Sequence, residues 1–195
     1  MPVYPVFPLN TVLSPGGLLP LRIFEPRYLD MVSCSLRQSS PFVISLLTTR
    51  DETSRKAETE NVGVTARIFD WESLSDGLLG ITVLGERKVR LSDSVTQSDG
   101  LLLARAEYLP DEKKEALPAE AEPLAHLLRR ILAELPLPYS EELCDYGNAG
   151  WVADRLTEVL PVLHKTKQAL LEEPLPIIRL DRMKAELSRL HLLGG

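Results

Sequence analysis

Over the first 110 residues, short apolar runs alternate with turn residues, and seven of them read as strands: residues 3–9, 18–24, 41–48, 62–70, 78–84, 88–91 and 101–109. Each is rich in the Val, Ile, Leu and aromatic side chains that suit a pleated, half-buried surface. Ser75-Asp76-Gly77 predicts a hairpin, because Asp-Gly tolerates the positive backbone angles of a tight turn between Arg67-Ile68-Phe69 and Ile81-Thr82-Val83. One helix interrupts the strands. Pro26 suits a first helical turn, and Leu29, Val32 and Leu36 follow at spacings of three and four.

Past Pro110 the period changes from two to about 3.6. Leu124, Leu127, Leu128, Ile131, Leu132 and Leu135 share one face of a helix that Pro136 and Pro138 should end. Asn148 is placed to cap a second helix, whose apolar face takes Val152, Leu156, Val159 and Leu160 before Pro161. Residues 165–171 predict a third helix, and Ile178, Met183, Leu187 and Leu190 a fourth, with Gly194-Gly195 as a frayed end. Two domains are therefore expected, a strand-rich one over residues 1–110 and a helical one over 111–195, joined near the charged stretch Asp111-Glu112-Lys113-Lys114-Glu115. The class is α+β.

Composition narrows the function classes. A chain of 195 residues, 44% hydrophobic and 26% charged, is long enough to bury about 70% of its extended surface without disulfides or metal. Cys34 and Cys144 lie far apart with no CxxC spacing, which fits a reducing cytosol. No secretory leader and no apolar run of membrane-spanning length is present, so a cytoplasmic location and no membrane partner are expected. The 22 basic residues against 28 acidic ones, net −6, disfavour nucleic acid as a ligand.

Catalytic motifs are missing. Gly-Lys never occurs, so there is no P-loop and no nucleotide is expected. Gly-x-Gly, HExxH and GxSxG are absent too. His126, His164 and His191 sit in helical segments beside Leu or Lys and read as helix-surface residues rather than ligands. Neither cysteine has a neighbour that would activate its thiol. Adjacent carboxylates such as Glu141-Glu142 point apart on a helix and cannot share a substrate. No catalytic residue, cofactor or metal is assigned, and the chain is not expected to be an enzyme.

The dense feature is the N-terminal run Phe7-Pro8-Leu9-Asn10-Thr11-Val12-Leu13-Ser14-Pro15-Gly16-Gly17-Leu18-Leu19-Pro20-Leu21-Arg22-Ile23-Phe24-Glu25-Pro26-Arg27-Tyr28. Its prolines confine strands to sheet edges or bulges, and Gly16-Gly17 permits a turn that returns Val12-Leu13 over Leu18-Leu19. Such an edge either receives an extended peptide as an added strand or is merely protected by its prolines from aggregation; both readings stand on the residues alone.

This run, above all Pro8-Leu9 and Ile23-Phe24-Glu25-Pro26-Arg27-Tyr28, resembles the opening of the Lon protease N-terminal (substrate-binding) domain family. Val62-Gly63-Val64-Thr65-Ala66-Arg67-Ile68, the stretch from Asp76 to Leu91, Trp151-Val152-Ala153-Asp154-Arg155-Leu156 and Lys167-Gln168-Ala169-Leu170-Leu171-Glu172 are similar to later parts of it. The resemblance implies a PUA-like pseudo-β-barrel followed by a C-terminal helical bundle. It also implies capture of unfolded or extended polypeptide, with ATP hydrolysis and Ser-Lys peptidase chemistry in further domains that this chain is not expected to hold, and a protease component as a partner. Phe7, Leu13, Leu18 and Leu19 are the candidate peptide contacts. Pro8, Phe24, Glu25, Pro26, Arg27 and Tyr28 form the structural motif, in which Glu25 and Arg27 are expected to position the first helix. Trp71 is a further candidate anchor, with packing under the hairpin as its alternative. RNA binding, suggested only by the implied fold, would require the 15 arginines and seven lysines to gather on one face.

Overall fold

The computed structural model describes residues 1–51, 56–135, 139 and 141–189. They form two compact units, Met1–Asp111 and Glu112–Gly195. Seven strands and one helix make the first unit: β1 (Val3–Leu9), β2 (Leu18–Ile23), α1 (Pro26–Gln38), β3 (Phe42–Asp51), β4 (Lys56–Thr59), β5 (Val62–Ser73), β6 (Leu79–Thr96) and β7 (Leu102–Tyr108).

The sheet runs β1-β7-β6-β5-β3-β4, with β2 paired to β6 and a further β1–β3 pairing. All pairings are antiparallel except β1–β3. Because β1 meets both β7 and β3, five strands close into a circuit. The closure turns on Val6, which pairs with Leu102 on one side and Val43 on the other. On either side of Val6, residues 3–5 of β1 pair only with β7, and residues 7–9 only with β3. Pro5 and Pro8 are tolerated for that reason: each lies in a half-strand with one unpaired side, where a missing N–H leaves no gap in a ladder.

The pattern of burial follows the sheet's two-residue period. Phe7, Ile23, Phe42, Ile44, Ile81 and Val83 gather with Tyr28, Met31 and Val32 of α1 into one core. Val6, Val43, Val89, Leu91 and Ala104 form another. Pro26 begins α1 and Ser39, with φ of 50°, ends it in the left-handed conformation.

Two strand expectations change. Residues 78–84 and 88–91 belong to a single strand, β6, because Gly85-Glu86-Arg87 continues it rather than breaking it. Gly85 serves close approach: a Cβ there would lie 2.3 Å from the Ser14 carbonyl oxygen, and Gly85 and Gly17 bond through their backbones. The charged segment from 50 to 61 holds β4, a short polar edge strand whose sequence lacks apolar alternation; residues 52–55 lie outside the described residues.

The second unit contains α2 (Glu122–Glu134), α3 (Ala149–Val159), α4 (His164–Glu172) and α5 (Pro176–Arg189). Leu124, Leu128, Val152, Leu156, Leu180 and Met183 are among the side chains of its core. The Asn148 side chain caps α3, accepting from the Gly150 N–H at 2.9 Å and the Trp151 N–H at 3.4 Å. On α5, Arg179, Leu180, Met183 and Leu187 are buried, whereas Ile178 is only half-buried. Pro136, Pro138, Leu190, His191 and Gly194-Gly195 lie outside the described residues.

Candidate functional site

A cavity of about 180 Å³ opens where the end of β1, the end of β2 and the start of α1 converge. Phe7, Pro8, Leu9, Leu21, Ile23 and Phe24 give it apolar walls, Tyr28 closes the helix side, and Arg22, Glu25 and Arg27 supply its charges. An apolar cavity of roughly 150 Å³ holds one benzene ring, and drug-sized ligands need about 300 Å³ or more, so this space suits a single side chain.

The walls are set by local sequence. The Phe7 ring stacks on Tyr28 with centroids 4.1 Å apart and tilts against Phe42 at 6.4 Å. Pro26 leaves α1 one orphan N–H fewer, and the Glu25 carbonyl accepts from the N–H groups of Tyr28 and Leu29. Glu25 makes no side-chain cap. Its carboxylate instead takes Arg27 Nη2 at 2.5 Å, while Arg27 Nη1 donates to the Gly100 carbonyl at 2.7 Å and the guanidinium lies 4.7 Å from the Tyr28 ring centroid. Arg27 thus ties the helix start to the β6–β7 turn and holds Tyr28 under the cavity.

Beside the cavity, β2 pairs with β6 on one side, and among the described residues no strand pairs with its other side. Gly85 donates to the Gly17 carbonyl at 2.9 Å. Alternation along the ladder then turns the peptide groups of Leu19, Leu21 and Ile23 toward β6, and those of Pro20 and Arg22 toward the open side. Pro20 has no N–H to leave unpaired there, as befits an edge.

The candidate residues fall into distinct environments. Phe7, Leu13 and Leu18 are only 7%, 2% and 4% exposed, so Leu13 and Leu18 are core residues and Phe7 meets a ligand only through the cavity it lines. Leu19 is half-buried against the same core. Phe24, read from sequence as structural, is 65% exposed at the cavity mouth. Pro8, Glu25, Arg27 and Tyr28 also line the cavity rather than only supporting it. Trp71 is 62% exposed on β5, not packed under the hairpin. Leu21, Arg22, Leu47 and Ala57 complete the lining and were not singled out by sequence; the residue alternation of β2 was the available signal for Leu21. Among the described residues no cluster of His, Cys, Asp and Glu is arranged to hold a metal ion, and no helix is long and apolar enough to cross a membrane.

The fold is that of a Lon-type substrate-binding domain. The family model of the ATP-dependent protease La (LON) substrate-binding domain matches residues 3–189, and the chain belongs to that family. It is 27% identical over 180 residues to Lon protease 2 of Myxococcus xanthus, a match covering 87% of this chain and 21% of that protein. It is 31% identical over 111 residues to Protein cereblon of Danio rerio, covering 55% of this chain and 25% of cereblon. The chain thus spans only about a fifth to a quarter of the length of these relatives. Among solved structures, a Lon N-terminal domain protein from Xanthomonas campestris is similar with 30% identity and a TM-score of 0.77, covering 95% of this chain and 98% of that one. The N-terminal domain of Mycobacterium avium complex Lon protease shares the fold at 20% identity and a TM-score of 0.62.

Proposed function

We propose that this chain is a non-catalytic polypeptide-binding module, a PUA-like pseudo-β-barrel followed by a helical bundle, that captures unfolded or extended segments for a protease component. The observation that carries the reading is the single-side-chain cavity placed beside the open side of β2. An extended segment lying along Pro20 and Arg22 gains backbone hydrogen bonds from Arg22 and buries one apolar side chain between Phe7, Leu21 and Phe24. Folded proteins rarely offer an unpaired backbone and a protruding apolar side chain side by side. Membership of the substrate-binding family supports the same reading.

RNA is the weaker fit. Arg67, Arg87 and Arg105 on the strands stand in ion pairs with Glu86, Asp111 and Asp93, which leaves these cations partly neutralised.

Fluorescein-labelled lactalbumin, reduced and carboxymethylated, tests the proposal by anisotropy. Saturable binding of the unfolded form, none of the native form, and recovery of uncut lactalbumin are expected. Phe24→Asp should weaken binding about tenfold or more while leaving thermal stability unchanged, since Phe24 is exposed. Equal affinity for folded and unfolded lactalbumin, or an unaffected Phe24→Asp variant, would overturn it.

A further inference from the structure

β5 carries a second open edge, away from the cavity. β3 pairs with β5 only at Val64, Thr65 and Ala66, so the stretch from Arg67 to Ser73 has β6 as its only strand neighbour among the described residues. The first helix also packs against β5, yet Phe69, Asp70, Trp71, Glu72 and Ser73 all remain exposed. Natural sheets usually blunt such an edge with charge, proline or a bulge. This one carries two carboxylates and a bulge between Ile68 and Asp70, and beside them it displays an indole.

The direction of its peptide groups follows from the turn. Leu74 donates to the Leu78 carbonyl at 2.9 Å, and alternation from that pair makes Trp71–Ile81 and Ser73–Leu79 non-hydrogen-bonded pairs of the ladder. The N–H and C=O groups of Trp71 and Ser73 therefore face outward. Asp70 Oδ1 accepts the Trp71 N–H at 2.8 Å, so a carboxylate occupies the place that a neighbouring strand's carbonyl would take.

Side chains on this edge alternate as well. Asp70 and Glu72 point to one face and Trp71 to the other. Asp76 on the same hairpin is paired with Arg22, whereas Asp70 and Glu72 enter no ion pair among the described residues. A strand laid against this edge meets a carboxylate at every second position on one face and a broad apolar ring on the other.

We propose that the edge of β5 is a second docking surface, independent of the cavity, for an extended polypeptide segment in which basic residues alternate with apolar ones. The incoming carbonyl replaces Asp70 on the Trp71 N–H, which frees the Asp70 carboxylate to pair with a basic side chain across the new ladder. Glu72 takes the next basic residue two positions along, and Trp71 covers the apolar one between them. The chain's net charge of −6 adds long-range attraction for such a segment.

Labelled, end-blocked peptides of alternating lysine and valine test this by anisotropy against a glutamate–valine counterpart and a lysine–valine peptide methylated on every backbone amide. The lysine–valine peptide should bind about tenfold more tightly than the glutamate–valine peptide, from two opposite-charge pairs against two like-charge ones. Backbone methylation should abolish binding. Trp71→Ala should weaken it, the double variant Asp70→Lys with Glu72→Lys should invert the charge preference, and Phe24→Asp should leave it unchanged. No binding of the lysine–valine peptide, equal affinity for both charges, tolerance of methylation, or loss of binding in Phe24→Asp would overturn the proposal; the last would place the peptide in the cavity instead. Loss of lactalbumin binding with retained lysine–valine binding would count against the cavity alone.

Discussion

Arg27 Nη1 reaches the Gly100 carbonyl at 2.7 Å, across a residue whose φ is +88° and whose absent Cβ would sit 2.6 Å from that same nitrogen. Gly100 is glycine for two separate reasons, backbone conformation and room for the guanidinium. Gly77 has only the first: its φ is +81°, with nothing within 4 Å of a Cβ. Gly77→Ala should cost about 1 kcal/mol, and Gly100→Ala about 1 kcal/mol more because Arg27 must also move. Urea unfolding followed at the first unit checks both. In an Arg27→Ala background the extra cost of Gly100→Ala should vanish; if it persists, the close approach to Arg27 is not its origin.

Tyr4 and Tyr108 share a hydroxyl–hydroxyl hydrogen bond of 2.9 Å. That bond, then burial, then the nearby Tyr108 and Glu86 push the Tyr4 phenol up from 10.0 to about 12. A raised pKa means the folded state holds the proton more tightly. The resulting stabilisation is present below pH 10 and is lost as pH rises from 10 toward 12. Phenolate absorbance should show Tyr4 titrating late, alongside Tyr146, whose phenol burial also pushes up, and Tyr108→Phe should bring Tyr4 back toward the ordinary value. A titration unchanged by Tyr108→Phe would contradict the assignment.

In the second unit the wholly buried Arg179 guanidinium meets Glu112 at 2.5 Å and Asp154 at 3.4 Å, and donates to the Glu173 carbonyl at 2.9 Å. Arg179→Leu should destabilise the unit by about 3 kcal/mol or more, because Glu112 and Asp154 both lose the buried cation they share. Glu112→Gln should cost less, since Asp154 remains. Denaturant midpoints read by Trp151 fluorescence, in a Trp71→Phe background, test the order; a reversed order would mean that Glu112 carries most of the pairing.

The sequence made the elements legible wherever one periodicity ran uninterrupted, as in β3, α1, α2 and α3. It misled where a local signal was overridden by tertiary contact: Gly85 looked like a break in β6 because the Ser14 backbone that needs its missing side chain is distant in sequence. β4 was illegible because a short polar edge strand has no apolar face to announce it. The site was legible in outline only. Phe7 through Tyr28 stood out by proline density and by family resemblance, but which of those side chains face a ligand depends on the folding of β1, β2 and α1 together. Leu13 and Leu18 turned inward, and Phe24, outside both the strand period and the helix period, turned outward. The two outward-facing peptide groups of β5 could not be read at all, since they depend on the register of the hairpin.

Amide exchange and chemical-shift mapping with saturating carboxymethylated lactalbumin test the central claim most directly. Slowed exchange at the Arg22 amide, together with shifted ring signals of Phe7, Phe24 and Tyr28, is the result expected of a segment seated in the cavity and along β2. Exchange at Arg22 and ring signals unchanged at saturation, with the perturbations confined elsewhere on the chain, would contradict it.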